Sequence, residues 1–187
     1  KSKGNVIDPW QLIQTHGVDA VRWYFFTLND PGEPKRFNED DLKTVFRKVF
    51  LIAYNSFAFS KMYEHEHHEP IVALDEWILA RMHETGGEVA RKLDAYDIYG
   101  SAKILETFLD DFSRWYIRRS RKNVSSETLR TVLVTLAKYM APFTPFFSEG
   151  LYQAVATMKE KKDALSIHMA LWPSKKIGAR EKKMLKA

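Results

Sequence analysis

The chain of 187 residues has no cysteine, so within it neither a disulfide framework nor a thiolate metal site can form. No apolar run approaches the roughly 18 residues that a membrane-spanning helix requires, and no charged-then-apolar leader opens the sequence. A cytoplasmic protein of a reducing compartment, with no membrane partner, is the expectation. The marks of self-contained catalysis are missing too: no Gly-rich phosphate loop, no Ser-His-Asp set and no convincing carboxylate pair stands anywhere in the chain. What these absences leave is a binding module. Its formal charge of +5, from 29 Lys+Arg against 24 Asp+Glu, permits a polyanionic partner without demanding one.

What is present in quantity is helical periodicity. The run Asp97 to Lys122 organises the rest: Ile98, Ala102, Leu105, Leu109, Phe112 and Tyr116 recur at spacings of three and four, which puts all six on one face of a helix and predicts that face to be buried. Trp115, Arg118, Arg119 and Lys122 recur the same way on a different stripe. Two readings of that stripe stand side by side. Cations near a helix C-terminus favour the macrodipole and solvate the surface, with Trp115 in the core; alternatively, guanidinium groups grip phosphates while the indole stacks on an unpaired base, as RNA loops require. Composition does not separate the two.

In chain order, the sequence opens on Lys1 inside a loop-like stretch, as a piece of something longer would. Asp8 and Pro9 supply an N-cap and a first-turn proline for a short helix ending at Gly17. A second helix over 18–28 is expected to turn Val21, Phe25 and Leu28 to one side, and the breaker Asn29-Asp-Pro-Gly-Glu-Pro34 closes this N-terminal module. Asn38, followed by Asp40 and Asp41, starts a helix running to about Tyr63 with Val45, Val49, Ile52, Phe57 and Phe59 as its apolar surface. Asn55 within it is either a satisfied buried amide, a residue on the helix margin, or a group that reads a base. His65, His67 and His68 are clustered, but their spacing and Pro-terminated polar context indicate a loop rather than a metal site. The helix 74–94 carries Gly86-Gly87 in its interior, a cost of about 1 kcal/mol per glycine that a kink or a close helix approach would explain. Ser125 or Ser126 caps a helix to Met140, which Pro142 terminates. Thr144-Pro145 starts another to about Met158, Ser166 to Pro173 docks as a short extended segment, and 181–187 begins a terminal helix. Five long helical patterns with short connections predict an all-α antiparallel helical bundle. The Lys-rich tail from Lys175 to Lys186 is expected to be a solvated end.

Several of these stretches carry a resemblance. Lys1-Ser-Lys-Gly-Asn-Val-Ile-Asp-Pro9 resembles the close of the K-M-S-K-S signature of class I aminoacyl-tRNA synthetases, with only its last Lys and Ser present as Lys1 and Ser2. Gly17-Val-Asp-Ala-Val-Arg-Trp-Tyr24 is similar to the block that follows it in that family, and Arg36-Phe37 to the start of the anticodon-binding domain. Leu109-Asp-Asp-Phe-Ser-Arg-Trp-Tyr-Ile-Arg-Arg-Ser-Arg121, Ala141-Pro-Phe-Thr-Pro-Phe146 and Ser166-Ile-His-Met-Ala-Leu-Trp-Pro173 match its later landmarks in order. The double arginine after Trp115 resembles the isoleucyl subgroup more than the valyl one.

The resemblance implies a division into 1–36 (end of the signature loop and a stem-contact module), 37–172 (helical-bundle anticodon-binding domain) and 173–187 (start of an extension). It implies a parent enzyme that joins isoleucine to its tRNA with ATP and Mg, in which Lys1 and Ser2 are remnants of the ATP contact. The chain by itself should be an inactive, monomeric tRNA binder with no catalytic set and no metal. Asn55, Trp115, Arg118, Arg119, Arg121 and Lys122 are the candidate tRNA contacts. A helical scaffold that binds proteins through its aromatic surface is the alternative from another class.

Overall fold

The computed structural model describes residues 8–29, 32–34, 36–63, 72–175 and 177–186, and among them every regular element is helical. The all-α expectation holds. The elements are α1 (Pro9–His16), α2 (Val18–Thr27), α3 (Glu39–Val45), a π-helical stretch Phe46–Leu51, α4 (Ile52–Met62), α5 (Ala73–Asp94), α6 (Ile98–Asp110), a second π-helical stretch Asp111–Ile117, α7 (Arg118–Ser120), α8 (Ser126–Met140), α9 (Pro145–Val155), α10 (Met158–Asp163), a 3-10 turn Ile167–Met169 and α11 (Ala179–Met184).

Helix starts follow the local chemistry. The Asp8 carboxylate accepts from the Trp10 amide at 2.9 Å, Asn38 from Asp40 at 3.0 Å and Ser125 from Thr128 at 3.2 Å, each satisfying an amide that the first helical turn leaves without a partner. Asp97 does the same for Gly100 at 2.7 Å and also holds Lys92 at 2.6 Å. The lysine bond, then the amide bond, keep its carboxyl below the usual range. Thr144 departs from the expected cap: its hydroxyl turns to Met140 O and Ser148 Oγ. The α9 start is capped from outside instead, by Asp19 of α2, which accepts from the Phe147 amide at 2.6 Å.

Four rods, α3–α4, α5, α6–α7 and α8, run alternately up and down, with α9 returning along α8. The pairs Asp75–Tyr116, Trp77–Trp115 and Arg81–Asp111 fix α5 antiparallel to the third rod. Ala102, Leu105, Leu109, Phe112 and Tyr116 are fully buried as the spacing predicts, and Phe108, Phe112 and Tyr116 stack in sequence at 6.3 and 6.0 Å. Ile98 is 39% exposed, a correction: it sits in the first turn, beyond the packed part of the rod. In α2 Val21 is buried as expected, together with Ala20, Trp23 and Tyr24, while Phe25 is 41% exposed, because α2 buries its 20–24 face against α3, α6 and α9. Gly86 is explained by close approach: a β-carbon there would overlap the Tyr139 phenol ring, so only glycine lets α8 sit this near α5.

The bundle therefore has two ends. One gathers the start of α3, the end of α5, the start of α6 and the end of α8, with α2 laid against it. There Arg22 donates to Phe143 O at 3.1 Å and Pro142 O at 3.3 Å, Trp23 Nε1 donates to Glu106 at 3.0 Å, and the Asn38 amide donates to the Tyr24 hydroxyl at 3.0 Å. The other gathers the end of α4, the start of α5, the end of α6–α7 and the start of α8.

Candidate nucleic-acid interface

The second end carries the tryptophan and arginine stripe. A π-helical turn takes more residues than an α turn and occurs mostly as a local widening within α-helices, often at functional sites. Here it spans Asp111–Ile117 and brings Phe112, Tyr116 and Ile117 all to the core, leaving Trp115 at the margin. Trp115 is half-buried. Its ring packs on Trp77 of α5 with centroids 4.1 Å apart and planes at 43°, and the Arg119 guanidinium lies over it at 4.8 Å. The indole is thus neither sealed in the core nor a bare platform. A base that stacks on it must displace the Arg119 contact, worth about 0.5–1 kcal/mol at an exposed site.

Beneath the pair, Tyr116 donates its hydroxyl to Asp75, with Thr128 of α8 as a further partner. Asp75 also accepts from the Val72 amide at 3.0 Å. Burial, then the Asp75 bond, push the Tyr116 phenol above its ordinary value, so it remains a donor throughout the physiological range. This buried set ties the starts of α5 and α8 to the π-helical turn and fixes where Trp115 emerges.

Arg118, Arg119, Arg121 and Lys122 are exposed, and among the described residues none of them makes an ion pair, whereas Arg114, one turn earlier, is taken up by Asp110 at 3.1 Å. Asn55 is exposed on α4, which removes the buried-amide reading, and α4 packs against the π-helical turn. The end of the bundle thus brings Trp115, Arg118, Arg119, Arg121 and Lys122 together, with Asn55 on the neighbouring rod. Trp77, the partner of Trp115, was not among the sequence candidates; nothing local to residue 77 marks it, since the pairing depends on which rods lie side by side. Lys1, Ser2 and the histidines 65, 67 and 68 lie outside the described residues. Among those described, no group of three or more His, Asp or Glu could hold a metal ion, and no helix is long and apolar enough to cross a membrane.

Comparison with known proteins bears on what such an end contacts. Residues 75–187 match the model of the family described as the anticodon-binding domain of tRNA ligase. The chain belongs to that anticodon-binding family. Isoleucine--tRNA ligase of Clostridium novyi (strain NT) is 37% identical over 193 residues, covering 92% of this chain and 19% of that protein. The enzymes of the same name from Deinococcus radiodurans and Thermus thermophilus are each 34% identical, covering 93% and 92% of this chain and 17% and 19% of theirs. The chain thus spans about a fifth of the length of these relatives. The fold is shared with a chain of a solved ternary complex, Agrobacterium radiobacter K84 agnB2 LeuRS-tRNA-LeuAMS, at a TM-score of 0.71 and 19% identity over 100% of this chain and 22% of that one. The sequence landmarks and the comparisons converge on one family.

Proposed function

We propose that the chain is the tRNA-reading part of an isoleucine–tRNA ligase, and that the end of the bundle carrying Trp115, Arg118, Arg119, Arg121 and Lys122, with Asn55 beside it, grips the anticodon stem-loop. The observation that carries this reading is the cluster of cations, unpaired among the described residues, set around a half-exposed indole pair at one end of a rigid bundle. Phosphate contacts position such a complex and base contacts give it sequence preference, so the cations supply affinity while Trp115 and Asn55 supply discrimination. The names of the relatives above, isoleucine ligases at 34–37% identity, support isoleucine over valine.

In the same reading residues 1–36 bridge toward the catalytic part, 37–172 form the tRNA-binding body and 173–187 lead into an extension. The parent enzyme uses ATP with Mg in the cytoplasm, and Lys1 and Ser2 are the remnant of its ATP contact. The chain alone is an inactive monomer. Titration of the 187-residue chain with an isoleucine-acceptor tRNA and with a heterologous tRNA, at two salt concentrations, tests it. Tighter binding of the isoleucine acceptor at both is expected, and equal binding of the two would remove the specific reading. Formation of isoleucyl-adenylate by the chain alone would remove the claim of inactivity.

A further inference from the structure

We infer that the RNA-gripping end is wider than the Trp115 stripe, and that exposed lysines of α10 and α11 hold the phosphodiester backbone on either side of it. This rests on the reading above and adds residues that the family landmarks do not contain. Three basic runs are far apart in sequence: Arg114 to Lys122, Lys159 to Lys162, and Lys175 to Lys186. The fold brings the first two to the same end and lays the third along the side of α5 that leads away from it.

Helix α10 is tied to the second turn of α8 by Arg130 and Glu160 at 2.9 Å, and α8 begins immediately after the Arg118 to Lys122 stripe. Within α10, Glu160 is further engaged by the Thr157 amide and hydroxyl at 2.7 and 2.8 Å, and Lys161 by Gln153 O at 2.7 Å. Lys159 and Lys162 are exposed and make no ion pair among the described residues. On the other flank, α11 packs on α5, with Arg180 and Met184 beside Glu76 and Leu79 and Lys182 beside His83 and Gly87. Arg180 reaches Glu76 at 3.0 Å, the residue next to Trp77, and Lys175 reaches Glu181 at 3.4 Å. The Gly178 amide donates to Glu181 at 2.6 Å. Those contacts use Glu76 and Glu181 and leave Lys182 and Lys183 exposed, without an ion pair among the described residues.

The acids of these elements are mostly spoken for. Glu76, Glu84, Glu88, Glu160 and Glu181 each face a cation of the chain, Asp75 is buried against Tyr116, and Asp94, Glu127 and Asp163 are exposed without an ion pair among the described residues. Cations further apart than a Debye length, about 8 Å at physiological salt, act on separate phosphates rather than as one charge. An extended polyanion is the partner such an arrangement suits, and a folded RNA hairpin whose stem continues past the gripped loop presents one. Lysine at these positions is a point charge on a flexible stem, suited to a backbone whose sequence varies.

The test removes the four charges while keeping side-chain length: Lys159→Gln, Lys162→Gln, Lys182→Gln and Lys183→Gln together in the 187-residue chain, with Arg118→Ala as a separate control. Affinity for an isoleucine-acceptor stem-loop is measured from low to moderate salt. Each phosphate contact contributes about 0.9 to the slope of log K against log salt, so a flattening by about two units or more is expected, with an unchanged melting temperature and the same proportional loss on a heterologous stem-loop. If Arg118→Ala flattens the slope and the four-lysine variant does not, this inference is overturned while the Trp115 reading stands. If neither moves it, both are overturned. A loss confined to the α10 pair or to the α11 pair, each tested alone, overturns the two-sided grip.

Discussion

The two ends of the bundle use the same residue types for opposite purposes. At the α2 end charged and polar groups are spent inside the molecule: Asp19 caps α9, Arg22 takes the carbonyls that close α8, and Asp97 caps α6 while holding Lys92. At the tryptophan end Arg118, Arg119, Arg121 and Lys122 find no acid among the described residues. A carboxylate at a helix N-terminus and a guanidinium at a C-terminus are stabilising because they meet the partial charges of the macrodipole. Cations gathered without acids repel one another and favour a polyanion. The comparison teaches that position in the fold, rather than residue type, separates a structural charge from a binding charge.

The largest effect that could break this division comes from Trp23→Ala, which empties a fully buried site and releases Glu106. A loss of roughly 3–5 kcal/mol is expected, seen as a lower denaturation midpoint, with RNA affinity per folded molecule unchanged. A fall in that affinity would mean that the ends are not separable. Asp19→Ala should cost about 1–2 kcal/mol by removing the α9 cap, again without touching RNA binding. Burial holds the Asp19 carboxyl above its ordinary value, against the Phe147 and Phe146 amides and Arg22 and His168. The folded state therefore takes up this proton before the unfolded state does, and the wild type should gain on an Asp19→Asn variant as pH falls through the folded value toward 3.8; urea unfolding at several pH values measures the difference.

Arg118→Ala should leave the unfolding free energy within about 0.5 kcal/mol of the wild type, as surface changes do, and reduce the RNA salt slope by about one unit. An unaltered slope would place Arg118 outside the interface. The smallest effect belongs to Asp97→Asn. Because the Asp97 carboxyl is held down by Lys92 and the Gly100 amide, its stabilising share is present above 3.8 and is lost as pH falls through the lower folded value. The variant should match the wild type in strong acid and trail it slightly at neutral pH.

Much of the fold was legible because helix starts are written locally. Asp8-Pro9, Asn38 and Ser125 each announce a cap, and the buried face of α6 follows from spacing alone. Of the kink or close approach that Gly86-Gly87 suggested, Gly86 shows the close approach, while a β-carbon at Gly87 would meet open space. The misses have one physical source, contacts between residues distant in sequence. Spacing could not show that α2 packs on α3, α6 and α9 so as to turn Trp23 rather than Phe25 inward, that the cap of α9 is Asp19 and not Thr144, or that Trp77 meets Trp115. The tail was expected to be solvated because it is rich in lysine, and Lys182, Lys183 and Lys186 are exposed, yet Arg180 ties α11 to Glu76 of α5. A constant period of 3.6 residues also hid both π-helical stretches.

The second of those stretches stores a surplus residue without passing the twist along. In an unbroken α-helix one inserted residue swings everything beyond it by about 100°; the widened turn at Asp111–Ile117 absorbs that rotation within itself. A chain shortened by one position there, for example by deleting Ser113, could relax to ordinary helix and still aim its terminal arginines in their present direction. The length of this rod and the heading of its tip are thus free to vary independently.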